Sequence, residues 1–287
     1  MTFQELCAEN AFQYEEHTVY TEDDYILTVF RVPGPEGEST QGKPPILLQH
    51  GILDSANCWV MNYASMAPAF VAANAGYDVW LGNNRGNTYS MGNRKLDPKK
   101  NEKQFFDFSW EDMAKDDIAM IDYIIQNTQQ EKVAYVGHSM GTTQMFNALA
   151  ENEDTFKDKL SLFVALGPVT KIDNTESELL QLLADFYSVI DDTSSLLGIH
   201  NLFASNWLTD TAMQLFCTHI DTLCKLVESF FVTNKTDLDD DERFEVYMGH
   251  EPNGASTKSL LLYAQNLREK RFQVWSDDYN ALIHPTK

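Results

Sequence analysis

The sequence predicts an α/β fold on a mostly parallel, doubly wound sheet, with a helical insertion. Three observations predict it. Short apolar runs alternate with helix-periodic stretches over residues 1–169, a Gly-x-Ser-x-Gly pentapeptide joins one such run to one such stretch, and an all-helical block follows from residue 170. Strands that alternate with helices are joined by crossovers, which makes the strands parallel and covers the sheet with helices. A chain of 287 residues suffices for one such domain with an inserted subdomain.

Each element follows from its residues. Positions 17–32 alternate apolar and polar around an acidic turn at Glu22, Asp23 and Asp24, the pattern of a β-hairpin. A Pro/Gly/Ser-rich loop over 33–45 leads to a short buried strand that begins at Ile46 and ends at Gly51. Residues 64–75 are Ala-rich and read as a helix stopped by Gly76, and 77–81 form the next strand. Ser109 to Asp112 has the form of a capping box that opens a helix, with Met113, Ile118, Ile121 and Ile125 at helical spacing. Then come a strand over 132–136, a helix over 142–151 and a strand over 160–166, with the second of these three beginning at the pentapeptide. Residues 178–190, 195–207 and 211–232 are helical, rich in Leu and Phe, and no strand separates them. The expected division is therefore a core over 1–169 with its N-terminal hairpin at 17–32, a helical cap over 170–245, and a return segment over 246–287.

Composition removes several function classes. The net charge of −22 and pI of about 4.5 argue against nucleic acid, whose binding rests on basic residues that neutralise phosphates. The same charge disfavours anionic membrane surfaces but leaves a neutral lipid unaffected. No apolar run approaches the roughly 18 residues that span a bilayer. The first residues carry neither a basic start nor an apolar stretch, so no signal peptide is visible. Cys7, Cys58, Cys217 and Cys224 form no CxxC pair, so no zinc site is expected. Cys217 and Cys224 fit either a bridge across a helix break or two buried thiols.

The chemistry lies in Gly137-His138-Ser139-Met140-Gly141, set between strand and helix. This is the nucleophile elbow of an α/β-hydrolase, a turn so tight that its flanking residues must be small and its serine strained. Ser139 is the candidate nucleophile. Acyl transfer also needs donors for the developing oxyanion. The backbone N–H of Met140, at the helix start, is one candidate. The N–H of Ile52, in the loop His50-Gly51-Ile52-Leu53 after an earlier strand, is the other. His138 is read as packing the elbow, since adjacent side chains in a tight turn diverge, and His50 as loop architecture. Serine chemistry of this kind uses neither cofactor nor metal.

Several longer motifs carry a resemblance. His50-Gly51-Ile52-Leu53, Gly76-Tyr-Asp-Val-Trp-Leu-Gly-Asn-Asn-Arg-Gly-Asn-Thr88, Phe108-Ser-Trp-Glu-Asp-Met-Ala-Lys-Asp-Asp117 and the segment from Gly137 to Thr143 stand in order along the chain. With Thr21-Glu-Asp-Asp-Tyr-Ile-Leu27 and Val246-Tyr-Met-Gly-His-Glu-Pro-Asn-Gly-Ala-Ser256, the chain resembles the acid lipase family over nearly its whole length. That family includes gastric lipase, lysosomal acid lipase and related steryl ester hydrolases. The resemblance implies hydrolysis of neutral lipid esters, with Ser139 as nucleophile, Ile52 and Met140 as oxyanion donors, a helical cap over an acyl pocket, and transient contact with a lipid interface. It also implies a cap disulfide near Cys217 and Cys224 and secretion or a lysosomal location; the single glycosylation triplet at Asn234, of a kind that arises often by chance, has value only in a secreted chain. Met140 stands where the family carries glutamine, which keeps the N–H and loses the side chain.

The chain departs from the pattern after the elbow. The histidines following Ser139 are His200, His219, His250 and His284. None sits in the family's His-x-Asp-Phe motif, and its Gly-x-x-Asp motif is also absent. The expectation is a chain that stops two βα units early, lacks its last strands and the triad Asp and His, and is nearly inactive as written. Without its base, such a hydrolase retains about 10³–10⁴-fold acceleration over water. The competing expectations are a non-catalytic lipid-binding or interaction protein derived from a lipase, and a peptidase or thioesterase on the same fold.

Overall fold

The computed structural model describes residues 1–176, 181, 184–185, 187, 191, 194, 196–202, 243, 246–247 and 249–276. Its described helices are α1 (Phe3–Glu9), α2 (Pro68–Asn74), α3 (Glu102–Phe105), α4 (Met113–Thr128), α5 (Met140–Phe156) and α6 (Thr257–Glu269). The strands are β1 (Glu15–Tyr20), β2 (Tyr25–Val32), β3 (Pro45–Gln49), β4 (Asp78–Leu81), β5 (Gly92–Asn93), β6 (Val133–His138), β7 (Leu160–Leu166), β8 (Asn201–Leu202) and β9 (Ala255–Ser256).

Seven strands form one sheet in the order β1-β2-β4-β3-β6-β7, with β5 paired to β2. The hairpin β1-β2 is antiparallel and joins β4 antiparallel, whereas β4, β3, β6 and β7 run parallel. Leu47 of β3 stands in register with Trp80 on one side and Tyr135 on the other, which puts the buried strand at the centre. The elbow strand β6 lies between β3 and β7, one strand in from the edge of the described sheet rather than at its middle. At that edge Leu162 and Leu166 are exposed.

Alternation along the strands sorts side chains onto two faces. Leu27, Val29, Leu47, Trp80 and Tyr135 join Ile121 and Ile124 of α4 and Met145 of α5 in one core. Phe30, Val32, Leu48, Val79 and Leu81 join Leu6 of α1 and Phe70 of α2 in the other. The two layers confirm the doubly wound plan.

Three expected elements are corrected. The helix expected over 64–75 begins at Pro68, because proline fits the first helical position and residues 63–67 form a turn. The expected capping box at Ser109 is a separate turn: the Ser109 hydroxyl accepts from Glu111 N–H, Asp112 accepts from Ser109 N–H, and α4 starts only at Met113. The helix expected over 195–207 is interrupted. Gly198 adopts φ +68°, and Asn201–Leu202 pairs with Ala255–Ser256 as β8-β9. Most of the expected cap, including Cys217, Cys224 and Asn234, lies outside the described residues.

One ionic cluster ties the hairpin, α4 and the loop after β4 together. Arg85 and Asp116 are buried, Arg85 Nη2 donates to Asp116 Oδ1 at 2.7 Å, and its Nη1 donates to Asp23 Oδ2 at 2.7 Å. The guanidinium also lies 4.1 Å from the Tyr25 ring centroid. Burial alone lowers the pKa of Arg85, but its two carboxylate partners outweigh that and raise it. Removing one partner of such a pair strands a buried charge and costs about 3–5 kcal/mol. Urea unfolding is expected to show that loss for Asp116→Ala, against a change within about 0.5 kcal/mol for Asp154→Ala in the exposed Lys157–Asp154 pair.

Candidate active site

Only Ser139 separates the end of β6 at His138 from the start of α5 at Met140. Its backbone takes φ 51° and ψ −115°, a conformation that costs a non-glycine residue energy unless its surroundings impose it. They do. Ser139 N–H donates to Leu166 O at 3.0 Å, and Ser139 O accepts from both Thr142 N–H at 2.9 Å and Thr142 Oγ1 at 2.6 Å. The flanking glycines allow the close approach. A Cβ on Gly137 would stand 2.6 Å from Gly141 C, and one on Gly141 would stand 2.5 Å from Gln49 O. The turn therefore closes only because β6, α5 and the end of β3 meet without side chains.

The loop after β3 reaches the same point. A Cβ on Gly51 would lie 3.2 Å from Ser139 Cβ, so the backbone leading into Ile52 passes directly beside the serine. Among the described residues, neither Ile52 N–H nor Met140 N–H donates to a protein acceptor. Ser139 is half-buried, and its Oγ has no hydrogen-bond partner among the described residues.

The histidines divide clearly. His50 is buried and holds its own loop: Asn84 N–H donates to Nε2 at 3.2 Å, which leaves the proton on Nδ1 to donate to Gly51 O at 2.7 Å. Burial lowers its pKa, so it stays neutral. His138 is exposed and meets the edge of Trp59, with ring centroids 6.5 Å apart. His200 accepts Thr257 N–H on its backbone oxygen, and His250 Nδ1 lies 3.1 Å from Asn57 Nδ2. None of these, nor His17 on β1, is hydrogen-bonded to Ser139, and His219 and His284 lie outside the described residues. Among the described residues, no group of three or more His, Cys, Asp or Glu side chains is placed to hold a metal ion.

Comparisons with known proteins bear on the family and the fold. The profile described as "Partial alpha/beta-hydrolase lipase region" matches residues 3–63, and that described as "alpha/beta hydrolase fold" matches residues 44–279. Gastric triacylglycerol lipase of Mus musculus is 39% identical over 94% of this chain and 69% of its own length. Lysosomal acid lipase/cholesteryl ester hydrolase of Macaca fascicularis is 36% identical over 99% of this chain and 71% of its own. The chain belongs to the acid lipase family. Lipase member K of Homo sapiens, at 35% identity over 99% of this chain and 71% of its own, is a third relative. A protein of Sulfolobus solfataricus of known structure shares the fold alone, with a TM-score of 0.60 at 14% identity over 87% of this chain and 75% of its own.

In this member of the family, sequence reasoning missed the residues that brace the loop. Asn83 Oδ1 accepts from Ala56 N–H at 3.0 Å and from Asn87 Nδ2 at 3.0 Å, while Asn84 Oδ1 accepts from Gln49 at 2.7 Å and Gln144 at 3.0 Å. Asn253 N–H, from the return segment, donates to Leu53 O at 2.7 Å. Three asparagines within five residues after a strand were the available signal for the first group; nothing local marks the second. The elbow's steric demand is directly testable. Gly141→Ala is expected to cost about 3 kcal/mol or more in urea unfolding, because backbone must move. Gly42→Ala, with φ +74° but open space around it, is expected to cost only about 1 kcal/mol.

Proposed function

We propose that this chain is a serine hydrolase that cleaves carboxylic esters of neutral lipids, triacylglycerols or steryl esters, with Ser139 as nucleophile and the N–H groups of Ile52 and Met140 as oxyanion donors. Membership of the acid lipase family makes it a carboxylic ester hydrolase. The observation that carries the site assignment is the half-buried Ser139 on its strained turn beside Gly51, next to the Ile52 and Met140 N–H groups, which donate to no acceptor among the described residues.

In this reading Ser139 Oγ attacks the ester carbonyl carbon and its proton passes to a base. Negative charge gathers on the carbonyl oxygen, where an oriented N–H contributes about 3 kcal/mol to the transition state. The carbon–oxygen bond to the alcohol then breaks, the alcohol leaves with a proton, and water hydrolyses the acyl-enzyme to the acid. His50 cannot be the base, because both its ring nitrogens are engaged with the loop. Exposed Leu196, Leu197 and Ile199 around Gly198 support a transient contact with a lipid interface. Among the described residues no helix is long and apolar enough to cross a membrane.

The test pairs covalent labelling with turnover. An alkyl fluorophosphonate is expected to add one phosphonyl group at Ser139, with loss of fluoride, and Ser139→Ala is expected to lose both the label and the weak residual hydrolysis of p-nitrophenyl butyrate that a chain without its triad Asp and His retains. Label on another residue, or hydrolysis unchanged in Ser139→Ala, would overturn the assignment.

A further inference from the structure

The return segment meets the Ile52 loop through a pair of carboxyl groups that the ester chemistry does not use. Glu251 Oε1 is out of contact with solvent and receives no hydrogen bond from any described donor, while its Oε2 accepts from Asn253 Nδ2 at 3.3 Å. The Asp54 carboxyl faces Glu251 within hydrogen-bonding reach, and Asp54 Oδ1 also accepts from Ser55 N–H at 2.6 Å. Two carboxylates cannot satisfy each other, since both only accept; one proton between them supplies the donor that Oε1 lacks.

We infer that Glu251 holds a proton that it donates to the Asp54 carboxylate, a proton shared through one hydrogen bond, and that this pair is a positioning clamp that holds the Ile52 loop beside Ser139. The inference rests on Ile52 N–H acting as an oxyanion donor. The clamp acts next to that donor: Leu53, at φ +60°, separates Ile52 from Asp54 and is itself tied to the return segment by Asn253 N–H. The surroundings keep the proton in place. Cys58 from the same loop, His50 from the end of β3 and Tyr89 from the loop after β4 face the pair, while the nearby His250 imidazole lies against Asn57. Among the described residues no lysine or arginine forms an ion pair with either carboxyl. Burial, followed by the Asp54 charge, raises the pKa of Glu251 well above the ordinary carboxyl range. A group whose folded-state pKa is raised stabilises the fold fully below its unfolded value and loses that contribution as pH rises through the folded one. The clamp thus tightens in acid and loosens toward neutrality.

The experiment compares the unaltered chain with Glu251→Gln, whose amide donates to Asp54 without titrating, and with Asp54→Asn, whose amide donates to the Glu251 carboxylate, so that each variant keeps one negative charge and needs no proton between the two side chains. Between about pH 5 and pH 8, the Tm of the unaltered chain is expected to fall by about 2–4 °C more than that of either variant. The rate of Ser139 phosphonylation, relative to its value at about pH 5, is expected to decline less in the variants over the same interval. Parallel Tm profiles in all three proteins would overturn the shared proton. Flattened Tm profiles with unchanged phosphonylation profiles would leave a structural pair and overturn the positioning role. If Ser139 takes no label in any protein, the nucleophile assignment has failed, and the Tm profiles still decide the shared proton.

Discussion

Everything at this site depends on three backbones meeting within van der Waals distance: the end of β3, the end of β6 and the first turn of α5. The constraint is steric, and it is met by leaving side chains out at Gly137 and Gly141. Because β3 and β6 are neighbours in parallel register, their ends emerge on the same side of the sheet. That common exit brings Gly51 beside Ser139, although the two lie far apart in sequence. The strained serine backbone is a consequence of the same crowding, and the hydrogen bonds from Thr142 and to Leu166 hold it there.

Around this meeting point the protein spends buried polarity on rigidity. Arg85, Asp116 and Asp23 anchor the loop after β4 to α4 and to the N-terminal hairpin. That anchored loop supplies Asn83, Asn84 and Asn87, which in turn hold His50 and the turn that starts at Ala56. Fixed donors near a developing charge stabilise it without reorganising at the moment of reaction. The chain of contacts runs from an ionic cluster to a histidine to the backbone of the loop that carries Ile52.

Legibility in the sequence followed distance along the chain. The elbow was readable because its requirements are local: an apolar strand, two small residues at fixed spacing, and a helix. The hairpin and the strand over 160–166 were readable because alternation and short apolar runs mark strands directly. Element starts were less so, since Ala-rich residues before Pro68 and the polar turn before Met113 favour helix locally while the backbone enters at another angle. The break near Gly198 arises from β8 pairing with β9, a contact between segments more than fifty residues apart that periodicity cannot reveal. The same holds for Asp54 and Glu251, each unremarkable in its own segment. Family motifs located the serine and the loops but carried no information about which side chains brace them.

The central claim, that Ser139 is the nucleophile and that the Ile52 and Met140 amides receive the negative charge, is tested most directly by a crystal structure of the chain phosphonylated at Ser139. The account predicts the phosphoryl oxygen about 2.7–3.1 Å from both Ile52 N and Met140 N. A phosphoryl oxygen turned to solvent, or bonded to neither amide, would contradict it.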